Sequence, residues 1–336
     1  MKQLKEKLLQ GDNIEKVLEY FNYDKIKRVS KDEVRCALHS EGNATAIRIK
    51  LNENISAIDF ARNISGDIIK LIMVNRELSF KEVIEGIKEV VGVSDIHFNN
   101  KSEQTFLSIF NKLNHAKKNR STKLEQYPET VLDDYTKEWN MRFLKDNISI
   151  DVQKEFNIGF DDMSQRITIP WRDFEGNICG VMGRSNIDDV ENKYLPLIPF
   201  KKSNTLYGYS ENYADLCDNN VFIGESEKFV LQLKTMGYSN AVALGGNSLS
   251  DIQIEELLAL NPKNLIFCYD EGLDDEVIKR NFNRMKKHMA FRNVGIYLIL
   301  DKKNKYLSNK CSPSDLGIEV WEKVKKECVM KIKIKM

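Results

Sequence analysis

The chain has 336 residues, 51 Lys+Arg against 50 Asp+Glu, and a formal net charge of +1. With 42% hydrophobic and 30% charged residues, it has a globular composition spread over two or three domains of roughly 100–200 residues each. Balanced charge excludes a uniformly basic nucleic-acid coat but not a local basic groove, no apolar run approaches the ~20 residues of a membrane helix, and Met1–Lys7 has no apolar region of a secretion signal.

Residues 1–100 read as a small α+β unit. Asp12 or Asn13 can cap a helix through Val17, Leu18 and Phe21. Hairpin-like alternation follows at 34–38 and 46–51. Ser65-Gly66-Asp67 opens a helix through Ile68, Ile69, Leu71 and Ile72, and Ser79 with Glu82 forms a capping box for another. The stretch 101–124 carries Lys101, Lys112, Lys117, Lys118, Arg120 and Lys123, and 125–138 reverses the sign. We read 101–135 as a linker; its basic run is either a solvated face or a nucleic-acid contact.

From 136 the pattern changes. Helices are expected around Phe143 and over 150–156, then strands at 167–171 and 178–184 joined by a turn at Glu175-Gly176-Asn177. From 219 to 326 strands alternate with helices four times, which implies a mostly parallel sheet covered by helices. The tail Lys331–Lys335 alternates like a short edge strand or forms a frayed basic end.

Ligands in such sheets bind beyond the carboxyl ends of the strands. The first strand runs into Glu225 and Glu227, the second into Gly245-Gly246, the third into Asp270-Glu271, and Asp315 follows the fourth. Carboxylates gathered from different strands repel one another unless a cation neutralises them, and hard oxygen ligands suit Mg²⁺ or Mn²⁺. The bland alternative is that these acids cap helices, which fits Glu227 and Asp274 better than Glu225 and Asp270. Gly245-Gly246 is either a tight turn or a close approach to phosphate. The 6 cysteines form no C-x-x-C pair, which fits reduced thiols in a cytoplasmic compartment, and 4 histidines leave the chemistry to carboxylates.

The order of these motifs resembles the TOPRIM fold, and the segment before it resembles the catalytic core of bacterial-type DNA primases. The resemblance rests on Phe143-Leu144-Lys145 to Phe160, Ile169–Asp173, Gly180, Gly183-Arg184, Lys193-Tyr194-Leu195, Lys202 with Leu206-Tyr207-Gly208, and then 219–320. It implies a multidomain α/β and α+β chain. A zinc-ribbon-like template-binding unit (1–100) and the linker would precede an α+β core subdomain (136–218) and a TOPRIM α/β parallel-sheet subdomain (219–330). It further implies template-directed synthesis of RNA primers on single-stranded DNA from NTPs. Glu225 and Asp270 would be catalytic, and these two with Glu271 and Asp315 would hold Mg²⁺ or Mn²⁺. Arg172, Arg184, Lys193 and Lys202 would contact nucleotide or template, with Trp171 either stacking on a base or in the core.

The chain also departs from that family. Cys36 and His39 sit where the ribbon has Cys-x-x-His, but Asp59 and Arg62 stand in place of its Cys-x-x-Cys pair, so the unit is expected to hold no zinc. Gly272 replaces the second Asp of Asp-x-Asp, and Phe229 stands where a further Asp is found; Glu227 and Asp274 are the candidate substitutes. Two rivals follow: a TOPRIM phosphodiesterase, and a degenerate primase-like module that binds single strands or a helicase. No G-x-x-x-x-G-K-[ST] loop occurs, so a helicase partner is expected on a separate polypeptide. The compact size suits a virus or mobile element.

Overall fold

A computed structural model describes residues 1–40, 42–92, 123–187, 192–289, 294–301, 305–308 and 310–332. The basic run from Lys101 to Arg120 and the tail beyond Ile332 lie outside the described residues.

Helices α1 (Lys2–Leu8) and α2 (Asn13–Tyr20) lead into an antiparallel meander. Its strands are β1 (Asp24–Ser30), β2 (Glu33–Ala37), β3 (Ile47–Lys50), β4 (Ser56–Asp59) and β5 (Ile64–Asp67), paired in chain order. The hairpin-like alternation therefore belongs to a larger sheet, with Val34, Cys36, Ile47 and Ile49 on its buried face. Helix α3 (Ile68–Arg76) starts where Asp67 accepts the Lys70 N–H at 2.9 Å. Helix α4 (Phe80–Val90) starts at the Ser79–Glu82 capping box.

The central unit contains α5 (Met141–Lys145), α6 (Ile150–Glu155) and a four-stranded antiparallel sheet. Its strands are β6 (Gly159–Asp161), β7 (Arg166–Arg172), β8 (Ile178–Ser185) and β9 (Tyr194–Ile198). The turn between β7 and β8 is closed by Asp173, whose carboxylate accepts the N–H groups of Glu175 and Asn177 at 2.9 and 3.0 Å. Every residue of β8 is buried. The residues before it are seated on this sheet: Tyr127 bridges to Ile178, and Leu132 packs with Ile178 and Val181.

A short α7 (Tyr213–Leu216) precedes the second large sheet. Strands β10 (Asn220–Gly224), β11 (Ala241–Ala243), β12 (Asn264–Cys268), β13 (Gly295–Ile299) and β14 (Val329–Lys331) lie in the order β11-β10-β12-β13-β14. The first four are parallel and β14 is an antiparallel edge. Helices α8 (Glu227–Thr235), α9 (Asp251–Ala259), α10 (Asp275–Lys286) and α11 (Ile318–Glu327) complete it. One core cluster runs from the N-terminal unit through Tyr209 and Tyr213 to α9 and α10. A second joins α5, α6, β7 and β8 to α8 and α11. The parallel sheet is thus covered by helices on both faces, with its strand ends facing the central unit.

Candidate active site

Residues Gly224 and Cys268 are register partners on adjacent parallel strands. The chain after each strand therefore delivers Glu225 and Asp270 side by side. Glu225 Oε1 accepts the Asp270 N–H at 3.0 Å. Burial raises the Glu225 pKa above the usual carboxylate range, and the charge on Asp270 adds to the rise. Burial also raises Asp270, and Asp315 adds to it, while Lys228 and a Ser312 hydrogen bond oppose. Asp315 lies in the turn before α11, where its Oδ2 accepts the Ser312 N–H at 3.0 Å. Lys228 Nζ stands 2.5 Å from Asp315 Oδ1.

Glu271 leaves this group. Its side chain accepts the Asp301 N–H at 3.3 Å, and its backbone pairs with Lys310 and Cys311. It clips together the loops that follow β12 and β13. Asp301, which the sequence reading passed over, accepts the N–H groups of Tyr306 and Leu307 at 2.6 and 2.9 Å. Neither Glu227 nor Asp274 substitutes for a missing acid. Asp274 caps α10 through the Glu276 N–H at 2.9 Å. Glu227 is buried and accepts from Trp171 Nε1 and Lys202 Nζ, both at 2.9 Å.

As these groups stand, no three His, Cys, Asp or Glu side chains among the described residues converge into a cage for an ion. The donor chemistry nevertheless fits a hard divalent cation. Glu225 and Asp270 are desolvated and mutually repelling, and Asp315 Oδ1 is a buried oxygen that faces a cation, the Lys228 ammonium.

The expected cations fall into two sets. Arg184, on β8, is buried; it pairs with Asp146 and lies 5.3 Å from the Phe143 ring centroid. Lys193 is exposed, and its pKa is lowered by desolvation and by the charges of Arg184 and Lys228. These three cations therefore share one positive field, and Lys228 is the one that also acts on Asp270. Lys202 is tied to Glu227 and sits 5.0 Å from the Trp171 ring. Arg172 grips Glu129 through two hydrogen bonds of 2.6 and 3.0 Å and donates to the Gly176 carbonyl at 2.9 Å. Its role is to fasten the segment before α5 onto the sheet.

Trp171 is fully buried, so base stacking on it is replaced by a core role. Gly245 resolves the Gly-rich turn. Its φ is +74°, and a Cβ there would come within 2.6 Å of Lys202 and 2.7 Å of Trp171. The turn is packed tightly on the Lys202–Trp171 pair.

In the N-terminal unit, Cys36 is a core residue whose thiol is pushed up to about 12 by burial, with Asp59 adding to the rise. The zinc ligand is the thiolate, which this environment disfavours. Asp59 is spent on the N–H groups of Ala61 and Arg62 at 2.9 and 3.2 Å, and on the Arg62 guanidinium at 3.6 Å. His39 is exposed.

No protein-family model matches the chain. Among curated proteins it is 26% identical over 282 residues to the SPbeta prophage-derived protein YorJ of Bacillus subtilis, covering 74% of this chain and 73% of that one. It is 24% identical over 304 residues to the DNA primase of Thermotoga maritima, covering 80% of this chain and 52% of the primase. It is 27% identical over 180 residues to the DNA primase of Borreliella burgdorferi, covering 47% and 33%. The chain thus spans about half or less of the curated primases it matches. Among solved structures, a DnaG primase catalytic domain bound to single-stranded DNA superposes with a TM-score of 0.50 at 21% identity, covering 60% of this chain and 77% of that one. An antiparallel unit followed by a mostly parallel sheet covered by helices is the fold of the bacterial primase catalytic core.

Proposed function

We propose that this chain is a DNA primase that builds short RNA primers on a single-stranded DNA template. The observation that carries this reading is the convergence of Glu225 and Asp270 at adjacent parallel strand ends, where Glu225 Oε1 accepts the Asp270 N–H at 3.0 Å and the charge of Lys228 acts on Asp270. Glu225, Asp270 and Asp315 would hold Mg²⁺ or Mn²⁺. Such an ion neutralises charge that develops on transferring phosphates. The protein's own cations would bind and orient an incoming triphosphate, since fixed positive groups are needed wherever phosphate charge collects. The relative encoded by a prophage supports an origin in a virus or mobile element. A replicative helicase would be a separate partner. Among the described residues no helix is long and apolar enough to cross a membrane.

The test is direct. Purified chain is supplied with single-stranded DNA, NTPs and Mg²⁺ or Mn²⁺, and short RNA is sought. The wild type is expected to make primers, and Glu225→Gln and Asp270→Asn are expected to make none. Equal synthesis by wild type and Glu225→Gln would overturn the assignment. Cleavage of DNA without NTPs would favour a phosphodiesterase. A second reading has one observation behind it: Phe229 is fully buried and Glu271 is turned to a loop, so the acidic set is sparse. Tight binding of single strands without synthesis under any metal condition would favour a non-catalytic module.

A further inference from the structure

Lys228 is the second residue of α8. The positive end of a helix macrodipole disfavours a cation there, so its place must be stabilised by something else. Its backbone direction is fixed by the next residue: Phe229 is fully buried, and it packs where a Cβ on Gly224 would come within 2.2 Å of the ring. That leaves the ammonium over the acids, 2.5 Å from Asp315 Oδ1, with both side chains about three-quarters or more covered (23% and 21% exposed). Lys193 is near enough to feel the charges of both Arg184 and Lys228, which add to desolvation in lowering its affinity for a proton. Against that repulsion and the dipole, the ion pair with Asp315 holds the ammonium in place.

We propose that Lys228 is the resident counter-ion of the acidic group, and that a divalent cation competes with it for Asp315. This rests on the reading of Glu225, Asp270 and Asp315 as a metal site. A divalent ion and an ammonium within ~4 Å of one carboxylate repel each other strongly enough, at an effective dielectric of ~20, to change an affinity by tenfold or more. Lys228 therefore offsets part of the site's negative charge without metal, and it weakens metal binding. Displaced from Asp315, the ammonium joins Lys193 and Arg184 on the side where an anionic substrate would meet the ion. Lys228 is in this sense a positioning residue that links cation binding to phosphate binding.

The experiment measures Mn²⁺ affinity on the full chain without nucleotide, by the electron paramagnetic resonance signal of free Mn²⁺. Lys228→Met is expected to bind Mn²⁺ at least about tenfold more tightly than wild type, and Lys228→Arg to stay within about threefold. Adding Asp315→Asn to Lys228→Met is expected to remove most of the gain. Circular dichroism checks the fold, and Lys228→Gln carries the same test if Lys228→Met does not fold. Equal affinity of wild type and Lys228→Met, with Glu225→Gln weakening both, overturns the competition and leaves the metal site standing. Absence of Mn²⁺ binding by every variant overturns both.

Discussion

Glu225 and Asp270 are carboxyl groups whose pKa values both rise on folding, chiefly through burial. A raised folded-state pKa means that the protonated form is favoured by folding. The stabilising contribution is complete below the unfolded values near ~4 and is lost as pH rises through the raised folded values. Above those raised values the metal-free protein carries two desolvated charges at a stability cost. Glu225→Gln is expected to raise the metal-free Tm at pH 8 by about 1–3 °C, and to flatten its fall above pH 4, while abolishing primer synthesis. Differential scanning calorimetry across pH reads the first effect and the primer assay the second; a lower Tm at pH 8 would count against the charge argument. Glu227 behaves in the opposite way. It is buried and satisfies the Trp171 indole and the Lys202 ammonium at once. Glu227→Ala leaves both donors stranded and is expected to cost about 3 kcal/mol in urea unfolding, with Glu227→Gln intermediate because one acceptor remains.

The Gly245-Gly246 turn after β11 separates packing from phosphate contact. Gly245 combines a left-handed backbone with Lys202 and Trp171 pressed against its Cα, whereas nothing lies within 4 Å of a Cβ on Gly246. Gly245→Ala is expected to cost about 1–3 kcal/mol through strain and overpacking, and Gly246→Ala less than about 0.5 kcal/mol. If Gly246→Ala instead impairs synthesis without loss of stability, the turn approaches the substrate. The same contrast between local and distant determinants decides what could be read from sequence. The parallel unit was legible because short apolar runs alternate with helical periodicity, and Glu225 and Asp270 were legible because each closely follows a buried strand. The five-stranded meander was read only in part. Its β1 is almost wholly exposed and charged, and β4 and β5 are four residues each, so alternation has little length in which to show. Arg184 with Asp146 and Lys202 with Glu227 pair across 38 and 25 residues, and no local pattern signals such partners. Lys228 escaped for the same reason: its partner Asp315 lies far along the chain, in the turn before α11.

The net charge of +1 conceals a buried charge pair that joins the N-terminal unit to the parallel-sheet unit. Lys5 of α1 and Asp67 at the end of β5 lie 2.7 Å apart, with side chains only 4% and 6% exposed. Asp67 Oδ2 also accepts the Tyr213 hydroxyl at 2.7 Å, and Lys5 donates to the Ala259 carbonyl at 2.9 Å, so one carboxylate and one ammonium reach both units. Desolvation is the largest single influence and opposes the charge on Lys5, but the attraction and hydrogen bond of Asp67 together with its other neighbours outweigh it, and the Lys5 pKa is raised. The surrounding contacts are apolar: the Phe80 and Tyr213 rings are 4.4 Å apart, within the same core cluster that runs from α1 to α10. Breaking a buried pair on one side leaves an uncompensated charge, which costs about 3–5 kcal/mol, whereas replacing both partners by apolar groups is often near neutral. Asp67→Ala is therefore expected to destabilise by about 3–5 kcal/mol, with part of the loss from the α3 cap that the same carboxylate forms with Lys70. Lys5→Met combined with Asp67→Leu is expected to recover most of the remainder. Urea unfolding followed by tryptophan fluorescence and far-ultraviolet circular dichroism reads both. All three tryptophans, Trp139, Trp171 and Trp321, lie outside the N-terminal unit. In the wild type the two signals should fall together, because the units share a core. In Asp67→Ala the dichroism should begin to fall at lower urea than the fluorescence, as the N-terminal unit separates first. Coincident, unshifted transitions in Asp67→Ala would mean that the apolar contacts alone hold the two units together.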